Sequence, residues 1–155
     1  MRKLSLIAFI ILSMSSLVLA DVKLPAIIGS NMVLQQDADV TLWGWAEPGE
    51  KITVNPDWRS ASSVAADEQG RWRIALRTLR ADKPHTLTIQ GNNTIELKNI
   101  LFGEVWLCSG QSNMSMPMGG WDLQPVHGGL KDITYSANKS IRLFSVQPVT
   151  AESPA

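Results

Sequence analysis

The chain has 155 residues, with 14 basic and 14 acidic side chains, so its formal net charge is zero. Hydrophobic residues make up 45% and charged residues 18% of the chain, a globular composition that excludes a disordered or low-complexity protein. Nucleic-acid-binding proteins carry a basic excess, so the balanced charge predicts no nucleic-acid partner.

Residues 1–20 have the pattern of a secretory signal peptide. A basic start precedes an apolar run over residues 4–12, and the small residues Val18 and Ala20 stand three and one positions before a cleavage point at Asp21. The apolar run is shorter than the roughly 20 residues that a membrane-spanning helix requires. We therefore expect an exported protein, periplasmic or secreted, that has no membrane contact once the signal is removed.

Residues 21–98 have the pattern of short strands separated by turns. The clearest strand covers residues 71–77, where apolar side chains alternate with arginines. Pro48-Gly49 favours a type II turn, and residues 90–93 favour a hairpin. Strands at about ten-residue spacing predict an antiparallel β-sandwich domain over residues 21–98.

The pattern changes near Asn99. Residues 100–108 form a nearly continuous apolar run, which predicts a strand buried on both faces, as in a parallel sheet covered by helices. Residues 140–146 predict a second strand. A parallel sheet needs more units to cover its faces and edges. We therefore expect a mainly β chain in which residues 99–155 are the first, truncated part of an incomplete α/β domain.

Ser112 is the candidate nucleophile. It follows Gly110 just beyond the predicted buried strand, at the sheet edge where α/β proteins place their ligand sites. A serine on a tight strand-to-helix turn exposes its hydroxyl, and nearby backbone N–H groups can stabilise an oxyanion. The surrounding residues do not form the Gly-x-Ser-x-Gly motif of α/β-hydrolases. The alternative is that Ser112 or Asn113 only caps a helix.

Residues 103–114, Gly-Glu-Val-Trp-Leu-Cys-Ser-Gly-Gln-Ser-Asn-Met, resemble the nucleophile block of the sialate O-acetylesterase family, which are SGNH-type carbohydrate esterases. Residues 31–35, 43–50 and 67–72 are similar to the β-domain that precedes the catalytic domain in bacterial members. The resemblance covers nearly all of residues 24–146. It implies an SGNH hydrolase-like fold for the α/β part.

The resemblance also implies a reaction. Ser112 would attack an acetyl ester and contribute its backbone N–H to the oxyanion hole, on a turn formed with Gly110, Gln111 and Asn113. The substrates would be O-acetylated carbohydrates, either sialic acids or other sugars such as those of plant cell walls. The family needs no metal and no organic cofactor.

The chain lacks the later family blocks that supply the histidine base, its aspartate and further oxyanion donors. Asp122 and His127 follow Ser112, but their spacing does not match the family's Asp-x-x-His pattern. We expect His127 to lie in a surface loop and His85 to be structural. Without a base the serine keeps its proton, so these 155 residues are expected to have little or no esterase activity.

Trp43 and Trp45 are two residues apart on one predicted strand and so face the same side. Stacking of sugars on this pair would make the chain a non-catalytic carbohydrate-binding β-sandwich module, which is the alternative function. The favoured interpretation is that the pair fills the core or a domain interface, because aromatic side chains bury large areas there. Trp72, Trp106 and Cys108 are also expected to be buried.

Overall fold

The computed structural model describes residues 21–146, so the predicted signal peptide lies outside the described residues. Seven strands are followed by two short helices within this range. In chain order they are β1 (Val33–Gln35), β2 (Asp39–Trp45), β3 (Lys51–Pro56), β4 (Ser62–Ala65), β5 (Arg71–Arg77), β6 (His85–Gln90), β7 (Thr94–Gly103), α1 (Ser112–Ser115) and α2 (Gly129–Tyr135). Neither helix has the length and apolar character of a membrane-spanning segment.

The strands form two sheets, which confirms the expectation of a mainly β chain. One sheet has five strands in the order β1-β7-β6-β3-β4, and the other contains β2 and β5. The pairs are antiparallel except for β1 and β7, which run parallel with Val33 opposite Leu101. The expectation of an antiparallel domain is wrong at this pair, because the long segment between the two strands allows β7 to run in the same direction as β1.

Two turns form where the sequence predicts them. Between β2 and β3, the Glu50 N–H donates to the Glu47 carbonyl at 2.9 Å, and Gly49 has a φ of 77°. That positive φ is the value a type II turn needs at its third residue and is the reason for glycine there. Between β6 and β7, Gln90 pairs with Thr94, so residues 91–93 close the predicted hairpin.

The core lies where the inward faces of both sheets meet. In β5, Trp72 and Leu76 are buried while the arginines between and beside them are exposed, as the alternation predicts. The fully buried side chains come from both sheets: Leu42, Ile52, Val54, Leu76, Leu87, Ile89 and Ile100. Burial of each such side chain stabilises the fold by about 1.5–3 kcal/mol relative to exposure.

His85 is a buried structural residue, as predicted. Its side chain is 3% exposed, with Nδ1 2.7 Å from Asp57 Oδ1 and Nε2 2.9 Å from Asp82 Oδ1. The imidazole stacks on Phe102 with ring centroids 4.4 Å apart. Carboxylates only accept hydrogen bonds, so both contacts are hydrogen bonds when the ring carries both protons.

The chain after β7 differs from the sequence-based prediction. β7 ends at Gly103, and residues 104–111 form no strand, so the predicted buried strand over 100–108 is wrong beyond Gly103. Trp106 is 82% exposed and Cys108 is also exposed, against the expectation that both are buried. No described strand pairs with residues 104–108, and a strand needs such partners for its backbone groups.

Residues 140–146 also form no strand, so that prediction is wrong for the same reason. β7 continues through the predicted domain boundary between residues 98 and 99. The division into a β-sandwich and the start of an α/β domain stays a prediction.

Candidate active site

The segment that leads to Ser112 is fixed at its start by two glutamines at the end of β1. Nε2 of Gln35 and Nε2 of Gln36 donate to the two carboxylate oxygens of Glu104 at 3.1 and 2.8 Å. Oε1 of Gln35 accepts from the Val105 N–H at 3.0 Å. These bonds join the end of β1 to the first residues after β7.

Both glutamines also influence the charge of the carboxylate. Hydrogen bonds from Gln36 and Gln35 hold the pKa of the Glu104 carboxyl below its ordinary value. Glu104 is therefore ionised at neutral pH and accepts both bonds. Sequence reasoning missed this cluster, although Gln35 and Glu104 each lie in a segment that resembles the esterase family; only the parallel pairing of β1 with β7 brings them together.

Ser112 is exposed and is the first residue of α1. The carbonyl of Gln111 accepts from the N–H groups of Met114 and Ser115 at 2.9 and 3.3 Å, which closes the single turn of this helix. Gln111 occupies the N-cap position without a side-chain hydrogen bond. Ser112 therefore does not cap the helix. Asn113 follows it as the second helical residue.

Gly110 brings the turn close to the helix. A β-carbon at this position would lie 2.7 Å from Cγ of Met114, nearer than side-chain atoms approach one another. Glycine permits this approach because it has no β-carbon. Gly110, Gln111, Ser112 and Asn113 thus form one compact turn, while their chemical roles stay predictions.

No histidine or carboxylate among residues 21–146 is hydrogen-bonded to Ser112. His85 is buried and both its ring nitrogens face aspartates, so neither nitrogen is open to a serine proton. Asp122 and His127 are exposed in the segment between α1 and α2, and no hydrogen bond in the described range joins them. The surface position of His127 is confirmed.

The segment around Ser112 exposes large apolar side chains. The exposed fraction is 94% for Leu107. It is also high at several other positions before, within and after α2. These side chains are Val105, Trp106, Leu123, Leu130, Tyr135, Ile141, Leu143 and Val146. Single exposed apolar residues are ordinary, but this segment exposes many of them.

Arg142 connects the end of the described segment to the sheets. Its guanidinium donates to the Met32 carbonyl at 3.1 Å, to the Asn99 carbonyl, and to Asn99 Oδ1 at 3.0 Å. Residues beyond α2 therefore return to the start of β1 and the middle of β7.

Trp43 and Trp45 form a second candidate site. Their exposed fractions are 42% and 45%, so they do not fill the domain core, and their placement in a domain interface stays a prediction. The inward positions of β2 are occupied by Leu42 and Gly44 instead. The exposed pair lies beside an open groove of about 430 Å³, which Arg71 and Arg73 also line.

Comparison with known proteins assigns the chain to a class. No family model matches it. It is 34% identical to a carbohydrate acetylesterase from Xanthomonas citri of known structure, with a TM-score of 0.59, over 64% of this chain and 23% of that one. This fold and its sequence group the chain with carbohydrate esterases.

The more particular similarity is to sialate O-acetylesterases. The chain is 33% identical to the human sialate O-acetylesterase over 137 residues, which is 81% of this chain and 25% of that protein. The mouse sialate O-acetylesterase is 30% identical over 138 residues. The chain is therefore sialate O-acetylesterase-like, which confirms the resemblance, and it spans about a quarter of the length of these relatives.

Proposed function

We propose that this chain carries the nucleophile of a carbohydrate O-acetylesterase, that the nucleophile is Ser112, and that the substrate is an O-acetylated sugar. The supporting observation is the exposed position of Ser112 at the start of α1, directly after the Gly110 turn, in a chain similar to carbohydrate acetylesterases. In the reaction, the serine oxygen bonds to the acetyl carbon and the sugar oxygen leaves with a proton. Water then cleaves the acetyl-serine and releases acetate.

Two features of α1 suit this chemistry. The first N–H groups of a helix have no partner within the helix, so the Ser112 N–H is available to an oxyanion. The exposed position of Ser112 lets an ester approach without displacing core residues. Neither feature requires a metal or an organic cofactor.

The β-sandwich assignment for residues 21–98 and the start of an SGNH hydrolase-like α/β domain over 99–155 belong to the same proposal. The shared core of the two sheets supports the former. The exposed apolar side chains between Val105 and Val146 support the latter, because an α/β domain buries such side chains between its sheet and the helices that cover it. Export through a signal peptide at residues 1–20, to the periplasm or the medium, completes the proposal.

Replacement in a relative tests the nucleophile. In a chimera, residues 21–146 of this chain replace the matching segment of the Xanthomonas citri acetylesterase. Acetate release by the chimera from an acetylated sugar is then measured. Ser112→Ala should lower kcat by about 10⁴-fold or more, as loss of a serine nucleophile does in other hydrolases. The matched control is Ser115→Ala in the same helix, which should leave most of the activity. An active Ser112→Ala chimera would refute the assignment.

The 155-residue chain alone is expected to have little activity, since no base contacts Ser112 within residues 21–146. Acetate release from an aryl acetate should equal the background rate, with and without Ser112→Ala. Turnover that depends on Ser112 would contradict this expectation.

A second function is favoured by the exposure of Trp43 and Trp45. We propose that the open groove beside them binds carbohydrate, since aromatic faces stack on the apolar faces of sugar rings. This binding would operate with or without the esterase reaction.

A further inference from the structure

The charges that line the Trp43–Trp45 groove indicate which sugars it selects. β2 and β5 are paired so that Trp43 stands opposite Arg73 and Trp45 stands opposite Arg71. All four side chains are exposed and lie on the same face of this two-stranded sheet. Each tryptophan is thus beside a guanidinium.

The two arginines differ in their partners. Arg71 is held by Asp67, with its Nε 3.1 Å from Oδ2, and by Gln69 Oε1 at 3.0 Å. Arg73 has no ion pair or hydrogen bond from its side chain within residues 21–146. Among the charged residues that line the groove, Asp67 therefore balances Arg71, and the positive charge of Arg73 is left unbalanced.

Asp67 remains ionised at neutral pH. Hydrogen bonds from the backbone of Arg71 and Gln69, together with the Arg71 side chain, outweigh its desolvation and lower the pKa of its carboxyl. The groove therefore has one net positive charge next to two aromatic faces. A guanidinium binds a carboxylate through charge-assisted hydrogen bonds, which are stronger than those between neutral groups.

We propose that this groove binds acidic saccharides, with Trp43 and Trp45 contacting the rings and Arg73 binding a ring carboxylate. The inference rests on the proposed carbohydrate binding by this groove and is independent of catalysis by Ser112. The volume of the groove, about 430 Å³, is within the range of small-ligand sites. Charge complementarity selects this occupant over a neutral sugar.

Calorimetric titration of the purified protein tests the proposal with two probes that differ only in charge. These are a trisaccharide of α-1,4-linked galacturonic acid and the corresponding neutral galactose trisaccharide. The acidic probe should bind more tightly than the neutral one. Arg73→Gln should lower the affinity for the acidic probe by about tenfold or more and leave the affinity for the neutral probe unchanged.

Four variants serve as controls. Arg59→Gln removes an exposed arginine outside the groove and should bind both probes like the unmodified protein. Trp43→Ala should lower the affinity for both probes. Trp43→Phe keeps an aromatic face and should retain most of that affinity. Ser112→Ala should bind normally, which separates this site from the esterase.

The outcomes distinguish the two proposals. Equal affinity for both probes, or an equal loss in Arg73→Gln and Arg59→Gln, would overturn the selection of acidic sugars and leave carbohydrate binding in place. Binding that Trp43→Ala does not weaken would overturn the location. Absence of binding by both probes would overturn the acidic selection and the carbohydrate-binding proposal together.

Discussion

His85 shows how a single polar residue can be fixed inside this β-structure. Its two ring nitrogens contact the carboxylates of Asp57 and Asp82, and its ring contacts both Phe102 and Trp58. Asp57 also accepts from the N–H and the hydroxyl of Thr86 at 2.9 and 3.2 Å. Asp57 therefore ties the end of β3 to the start of β6.

Loss of the Asp57 carboxylate should destabilise the protein at neutral pH. Asp57→Ala leaves the buried Nδ1 of His85 and the Thr86 N–H without their hydrogen-bond partner, which should lower the free energy of unfolding by about 1–3 kcal/mol. Urea denaturation at pH 7 measures this. Asp122→Ala is the control, because Asp122 is exposed and has no hydrogen bond in the described range. Equal stability of the two variants would contradict the structural role of Asp57.

The same carboxylate should make stability depend on pH. Burial raises the pKa of Asp57, but hydrogen bonds from Thr86 and His85 outweigh it, so the pKa falls below its ordinary value of 3.8. The folded protein then binds fewer protons than the unfolded chain, and this stabilisation is lost as the pH falls below about 4. The stability difference between the unmodified protein and Asp57→Ala should shrink in that range. A constant difference would refute the linkage.

The burial of single residues could be predicted from the sequence where the local pattern determines which side of a strand faces the core. Trp72 alternates with arginines, and that period places it in the core. Trp43 and Trp45 follow the same period, but the pattern alone does not say which side of the strand faces inward. That side was set by Leu42 and by Gly44, where a β-carbon would lie 2.9 Å from the Trp72 ring.

At the scale of elements, the parallel pair β1–β7 positions the segment that carries Ser112. Gln35 at the end of β1 binds both the Glu104 carboxylate and the Val105 N–H. The side-chain nitrogen of its neighbour Gln36 donates to the same carboxylate. The side-chain oxygen of Gln36, however, accepts from the Ala81 N–H at 3.0 Å. The two glutamines therefore fix different stretches of backbone.

Removal of either glutamine should release a different amide. Gln35→Ala should speed hydrogen exchange at the Val105 amide by several-fold, because that N–H loses its acceptor, with little effect at Ala81. Gln36→Ala should do the reverse and serves as the matched control. Amide exchange followed by NMR measures both positions. Unchanged exchange at Val105 in Gln35→Ala would show that Gln35 does not hold this segment.

The element boundaries after β7 could not be read from the sequence. An apolar run such as residues 100–108 is typical of a strand covered on both sides, and periodicity cannot distinguish it from a segment that lacks strand partners. Ile100 and Phe102 are buried, whereas Val105 and Leu107 are exposed. Hairpins and turns were predictable because their determinants, Pro48-Gly49 and residues 90–93, are local.

The whole molecule joins two unlike parts. The two sheets share a core of fully buried side chains, while the segment from Val105 to Val146 exposes most of its large apolar ones. Ser112 lies in the second part, and the groove beside Trp43 lies on the first. The proposed chemistry and the proposed acidic-sugar binding are therefore carried by different parts of the chain.

The central claim is that Ser112 is the nucleophile of a carbohydrate acetylesterase, and covalent labelling tests it most directly. The active chimera is treated with a dialkyl aryl phosphate, which phosphorylates activated serines, and the adduct is located by peptide mass spectrometry. We predict one adduct on Ser112, formed in proportion to the loss of acetate release. Loss of activity with the adduct on another residue, such as Ser109 or Ser115, and an unmodified Ser112 would contradict the claim.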